Sequence, residues 1–221
     1  MSRMARPSAV VFDNDGLLLD TEEAWTRADR TLFARRGREF TQADKRTLIG
    51  SSRSLAAVKL EALLERAGEG EALMDELHEL VMEEALQGVD ARPGAIALVE
   101  RLSDAGIPLA VASNSEPAFV QRTLSGAGLL PGGPFATVVT AADIAHPKPA
   151  PDIYIEACRR LGVAPAEAVA LEDSPIGVAA AAAAGMFVIG VPYFAGSEIP
   201  GASLLASSLG DREVARALGL D

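Results

Sequence analysis

From Arg92 onward, short apolar runs alternate with stretches of helical spacing, and this rhythm narrows the possible folds more than any other feature. "PGAIALVERLSDAG" predicts a helix, with Pro93 near its start and Gly106 at its end. "IPLAVAS" predicts a strand, "EPAFVQRTLSGAG" a helix, "ATVVT" a strand and "APDIYIEACRRLG" a helix. "AVALED" and "FVIGV" are strands on either side of "IGVAAAAAAG", and "DREVARALGL" is a last helix. The alanines at 179–184 read as a thin helix packed closely on a sheet, since alanine is the best helix former. Strands alternating with helices in this way form a parallel sheet, and right-handed crossovers put helices on both of its faces. The predicted fold class is α/β, with a Rossmann-like, doubly wound core.

One segment breaks the rhythm. Ala9–Phe12 is a short, fully apolar strand, but Glu22 to Gly88 is rich in Glu, Arg, Leu and Ala at helical spacing, with no convincing strand. Leu73, Leu77, Leu80 and Val81 form one stripe, and Leu60, Leu63 and Leu64 another. The expectation is a small all-α cap over residues 18–89, inserted into a core made of 1–17 and 90–221. The hinges would lie at Leu18–Thr21 and Gly88–Arg92.

A chain of 221 residues, 49% of them apolar, can build such a core. Its net charge of −11 lacks the basic footprint of a non-specific nucleic-acid binder. No run approaches the ~18 apolar residues of a membrane helix, and the basic start "MSRMARPSAV" is not followed by the apolar stretch of a signal peptide. The expectation is a cytoplasmic protein without membrane or nucleic-acid partners, monomeric because a cap must open and close. Cys158 has no partner for an internal disulfide and reads as a small buried residue.

In an open parallel sheet, ligands bind beyond the carboxyl ends of the strands. Asp13 and Asp15 follow the first strand, Ser113, Asn114 and Ser115 follow "IPLAVA", and Glu172 and Asp173 follow "AVAL". Lys148 sits in the loop "HPKPAPD". Any one of these is ordinary alone: Asp-x-Asp as a turn, Ser113 as a turn residue, Asp173 or Ser174 as a helix N-cap. Together they bring four carboxylates to one edge, which is unfavourable without a cation. Oxygen ligands of this kind suit Mg²⁺, often shared with a phosphate.

"FDNDGLLLDTE", "VASNS", "KPAPDIY" and "LEDSPIGVAAAAAAGM" resemble, in order, the four motifs of the haloacid dehalogenase superfamily. The resemblance covers almost the whole chain and extends to the helical insertion. Within the superfamily the sequence is most similar to β-phosphoglucomutase-like proteins and to 2-deoxyglucose-6-phosphate and hexitol phosphatases. The resemblance implies that Asp13 is the nucleophile and forms an aspartyl phosphate. Asp15 would protonate the leaving alcohol and then deprotonate water. Gly16 would let the backbone turn away toward the cap. Ser113 and the amide of Asn114 would hold phosphoryl oxygens, and Lys148 would neutralise charge. Mg²⁺ would sit on Asp13, Asp173 and the main-chain carbonyl of Asp15, with Glu172 as a further ligand or an acceptor behind them.

The implied activity is hydrolysis of a small phosphate monoester, a sugar or polyol phosphate. Asp15 argues against carbon–halogen cleavage and against phosphonatase-like chemistry, although Lys45 and Lys59 lie in the cap. A β-phosphoglucomutase-like isomerase is one alternative. Where that enzyme has a cap histidine and lysine, this chain has Trp25 and Ile49. Arg53 in "IGSSR" matches an arginine that grips a distal phosphate. Trp25 either walls a substrate pocket or fills the cap core. The other alternative is a non-catalytic protein that binds a phosphorylated ligand. His78 reads as solvated, and His146 lies beside the lysine loop.

Overall fold

The computed structural model describes residues 6–48, 51, 53–86, 88–129, 133–194 and 196–220. In chain order the first elements are β1 (Ala9–Phe12), α1 (Thr21–Ala34), α2 (Gln42–Leu48), α3 (Arg53–Leu64) and α4 (Gly70–Leu86). Then come α5 (Ala95–Asp104), β2 (Leu109–Ala112), α6 (Pro117–Gly126), β3 (Phe135–Val139) and α7 (Asp152–Leu161). The last are β4 (Ala168–Glu172), α8 (Pro175–Ala183), β5 (Phe187–Gly190), β6 (Leu204–Leu205) and α9 (Arg212–Ala217).

The strands form one parallel sheet in the order β3-β2-β1-β4-β5-β6. β1 is central, and every residue of it is buried, as expected of a strand covered on both faces. The chain runs outward from β1 through β2 to β3 and then returns to β4 on the other side of β1. The order therefore reverses at β1/β4, where such sheets open a crevice. β6 lies outside the strands predicted from the sequence. Its two residues carry no periodic pattern, and only pairing to β5 makes them a strand.

α7 packs on β1, β2 and β3, and α8 packs on β4 and β5. The core on this side joins Val11, Ala110, Ala170 and Val188 to Ile153, Tyr154, Ala157 and Cys158 of α7 and Val178, Ala180 and Ala181 of α8. Each fully buried aliphatic side chain of this kind stabilises the fold by roughly 1.5–3 kcal/mol. The alanine helix is thin where it meets the sheet. Cys158 is a buried core residue, and burial pushes its thiol up to about 11, which keeps it protonated and inert.

Contacts divide the chain into two compact units, Met1–Asp20 with Asp90–Asp221, and Thr21–Val89. Leu18, Leu19 and Asp20, placed in the insertion by the sequence, belong to the α/β unit. Leu18 and Leu19 are fully buried, and Leu19 bridges to Ala91 while Arg92 N–H donates to Leu18 O at 2.9 Å. In the helical unit, α4 packs against α1 and α3 through Leu73, Leu77, Leu80 and Val81, all buried. Leu60 and Leu64 of the second stripe are buried too, and Leu63 is half-buried.

Candidate active site

The backbone of β1 runs one residue past the strand. Asp13 N–H donates to Leu171 O at 3.0 Å, which holds Asp13 in the β4 ladder with its carboxylate buried. The chain then turns sharply. Leu18 and Leu19 N–H both donate to Asn14 O, and Gly16 N–H donates to Leu19 O at 2.9 Å. Gly16 has φ +82°, and a Cβ there would overlap the Asp173 carboxylate. A glycine is needed both for the left-handed turn and for the approach of Asp173.

Lys148 reaches this point from the loop ahead of α7. Its Nζ donates to Asp13 Oδ1 at 2.5 Å, to Glu172 Oε1 at 2.6 Å and to Ala112 O at 3.0 Å. All three ammonium protons are therefore committed. Asn114 fixes the loop: its Oδ1 accepts from Lys148 N–H at 3.0 Å and its Nδ2 donates to Lys148 O at 3.4 Å. Burial acts to lower the Lys148 pKa, but Asp13 and Glu172 outweigh it and hold the lysine well above its ordinary range. For Asp13 burial is the largest effect and raises its pKa. Lys148 opposes this, and the nearby Glu172 and Asp15 charges reinforce it, leaving the group raised. One lysine shared between two buried carboxylates does not fully offset the burial of Asp13.

Glu172 ends β4 with no exposed surface. Its Oε1 accepts from Lys148 and from Tyr154 Oη at 2.5 Å, and its Oε2 accepts from Ser174 Oγ at 3.2 Å. Ser174 also caps α8 by accepting from Gly177 N–H at 3.1 Å. Gly177 makes room for Glu172, because a Cβ there would lie on top of its carboxylate. Tyr154, fully buried, lies with its ring 5.0 Å from Lys148 Nζ. Burial and the Glu172 charge raise its hydroxyl pKa well above the ordinary value, so it stays a donor.

Asp13, Glu172 and Asp173 each present an oxygen within 4.8 Å of the others. Three hard oxygen donors in this space fit a divalent cation of the Mg²⁺ type. Glu172 is already held by Lys148, Tyr154 and Ser174. The Asp15 carboxylate is not in this group. Its Oδ2 accepts from Ser113 Oγ at 2.7 Å and Ser115 Oγ at 2.8 Å, and its Oδ1 accepts from Asn14 Nδ2 at 3.2 Å. Any metal role for Asp15 therefore falls to its main-chain carbonyl.

Thus Asp13, Asp15, Gly16, Ser113, Asn114, Lys148, Glu172 and Asp173 lie together at the ends of β1, β2 and β4. Sequence reasoning assigned no role to Asn14 or Tyr154. The aromatic in "PDIY" gave no hint that its hydroxyl would reach Glu172. In the helical unit, Arg53 opens α3 and is paired with Asp75 at 2.6 Å and Glu71 at 3.3 Å. All three side chains in these pairs remain exposed. Trp25 is half-buried on α1, and Ile49 lies outside the described residues. Lys45 donates to Thr26 Oγ1, and Lys59 donates to Thr47 O and Ser51 Oγ. His146 is exposed and meets Asp152 at 2.9 Å, and His78 is half-buried on α4.

A family profile described as haloacid dehalogenase-like hydrolase matches residues 7–185. Hexitol phosphatase A of Escherichia coli is 35% identical over 189 residues, covering 84% of this chain and 83% of that protein. A variant of CbbY from Rhodobacter sphaeroides, solved in complex with xylulose-1,5-bisphosphate, is 29% identical with a TM-score of 0.78, covering 93% of this chain and 96% of the other. A putative β-phosphoglucomutase from Thermotoga maritima is 28% identical with a TM-score of 0.77, covering 91% and 94%. No described helix is long and apolar enough to cross a membrane. The chain therefore belongs to the haloacid dehalogenase-like hydrolases, in their β-phosphoglucomutase-like subfamily.

Proposed function

We propose that this enzyme is a Mg²⁺-dependent phosphatase that hydrolyses a small sugar or polyol phosphate through an aspartyl-phosphate intermediate. The reading rests chiefly on Asp13. It is a buried carboxylate at the switch point of the sheet, held by Lys148 beside Glu172 and Asp173, with Asp15 two residues on. The names of the relatives support the substrate class: one is a hexitol phosphatase and another was solved with a sugar bisphosphate.

In this mechanism an Asp13 oxygen forms a bond to phosphorus as the ester oxygen leaves, and Asp15 gives that oxygen its proton. Asp15 then takes a proton from the water that opens the aspartyl phosphate, which divides one difficult step into two. Lys148 holds Asp13 in place and offsets charge as it builds on the phosphoryl oxygens. Glu172 and Tyr154 keep Lys148 from following the substrate. Ser113 and the Asn114 amide orient the phosphoryl group. Asp13, Asp173 and the Asp15 carbonyl would hold Mg²⁺, with Glu172 behind them. When bound, the ion neutralises the crowded carboxylates and polarises the phosphoryl group.

The test is phosphate release from a panel of sugar, polyol and nucleotide phosphates, with Mg²⁺ and with chelator, and with a parallel check for sugar isomers. Metal-dependent release that disappears in Asp13→Asn is expected. Turnover that survives in Asp13→Asn removes the nucleophile assignment. Isomer formed without free phosphate replaces hydrolysis by a mutase reaction.

A further inference from the structure

Asn14 sits between the two acids of the first loop and has no exposed surface. Its Nδ2 lies 3.2 Å from Asp15 Oδ1 and 3.4 Å from Thr123 Oγ1 on α6. Thr123 directs its own hydroxyl proton to the helix carbonyls of Phe119 and Val120, at 3.0 and 3.1 Å. It therefore meets Asn14 as an acceptor. The carboxylate of Asp15 is likewise an acceptor. Both neighbours require donors, so the NH₂ end of the amide faces them. The carbonyl oxygen of Asn14 is then left buried without a partner. A buried unpaired acceptor costs stability, and an apolar side chain of this size would avoid that cost.

We propose that Asn14 is a positioning residue for Asp15. It ties the Asp15 carboxyl to α6 through Thr123 and commits Oδ1 to an N–H bond. This inference rests on the reading of Asp15 as the acid of the reaction. The two oxygens of Asp15 then differ in kind. Oδ1 faces an amide N–H, which can only donate. Oδ2 faces the hydroxyls of Ser113 and Ser115, which can turn from donor to acceptor. Oδ2 is therefore the oxygen that passes a proton to the ester oxygen as the bond from phosphorus to that oxygen breaks and the Asp13–phosphorus bond forms.

The test compares leaving groups. An alkoxide must be protonated as it departs, whereas p-nitrophenolate leaves without help. kcat/KM reports events up to the first irreversible step, so it isolates this transfer from the later hydrolysis. Asn14→Leu should lower kcat/KM for hexose and hexitol phosphates by roughly tenfold or more, as expected for a misplaced general acid. The value for p-nitrophenyl phosphate should stay within about threefold. Thr123→Val deletes only the anchor and should shift the ratio in the same direction but less; it carries the test if Asn14→Leu folds poorly by circular dichroism. Equal losses on both substrate types, or no change in the ratio for either variant, overturn the proposal. Asp15→Asn is measured alongside. If it shows no leaving-group dependence, the assignment of Asp15 as the acid fails. If it does and the Asn14 and Thr123 variants do not, the role of Asn14 alone fails.

Discussion

Lys148 Nζ lies 2.5 Å from Asp13 Oδ1, across 135 residues of chain, and both side chains are nearly inaccessible. The same ammonium holds Glu172 at 2.6 Å. Lys148→Met removes the cation from both carboxylates and leaves them buried and uncompensated. The metal-free variant should lose about 3–5 kcal/mol of stability as well as activity. Urea unfolding in chelator measures the first and phosphate release the second. An unchanged midpoint would mean that Lys148 serves chemistry without supporting the fold.

Gly177 in α8 gives opposite expectations depending on what is considered. Helix propensity alone predicts that Gly→Ala stabilises by roughly 1 kcal/mol. The Glu172 carboxylate occupies the space the new methyl would need. Gly177→Ala should instead destabilise by about 1–3 kcal/mol and lower activity by displacing the partner of Lys148. A stabilised, fully active variant would show that Glu172 can move without consequence.

Gly16→Ala tests the turn after β1. The residue would adopt φ +82° and meet the Asp173 carboxylate, with a backbone cost of roughly 1–2 kcal/mol. Displacing Asp173 should raise the Mg²⁺ concentration needed for half-maximal activity by about tenfold. A metal titration of activity at fixed substrate reads this directly. An unaltered requirement would take Asp173 out of the metal site.

Asp29 on α1 concerns stability only. Burial, reinforced by Glu22 and opposed by Lys45, raises its pKa from 3.8 to about 7, and its Oδ1 has no partner. Between these values the folded chain keeps a proton that the unfolded chain releases. The group's contribution to stability is therefore complete below about pH 4 and is lost as pH rises to about 7. Asp29→Asn should remove this dependence. Relative to the natural chain, it should gain about 1–3 kcal/mol between pH 5 and pH 8. Urea unfolding of both proteins at the two pH values measures the difference, and a pH-independent difference would contradict it.

Much of the fold was legible because its cues are local. Runs such as "AVVF", "LAVA" and "AVAL" are apolar throughout, as central parallel strands must be, and alternation with helices implies the crossovers that make them parallel. The acids and hydroxyls just after those runs could be assigned to one edge because strand direction alone puts them there. β6 has no local cue, since two leucines in a loop carry no period and need β5 to become a strand.

What no local cue contains is which side chains face one another beyond the strand ends. The order of the strands puts β1 between β2 and β4 and so brings Ser113 to Asp15 and Glu172 to Lys148. Only when α7 lies on the sheet does the hydroxyl of Tyr154 reach Glu172. Arg53 meets Asp75 and Glu71 only because α3 and α4 pack together. Only the packing of α6 brings Thr123 beside Asn14. Residue type and strand polarity determined what chemistry the edge could hold. Tertiary packing decided which donor meets which acceptor, because a hydrogen bond depends on fractions of an ångström between groups far apart in the chain, such as Lys148 and Asp13, 135 residues apart.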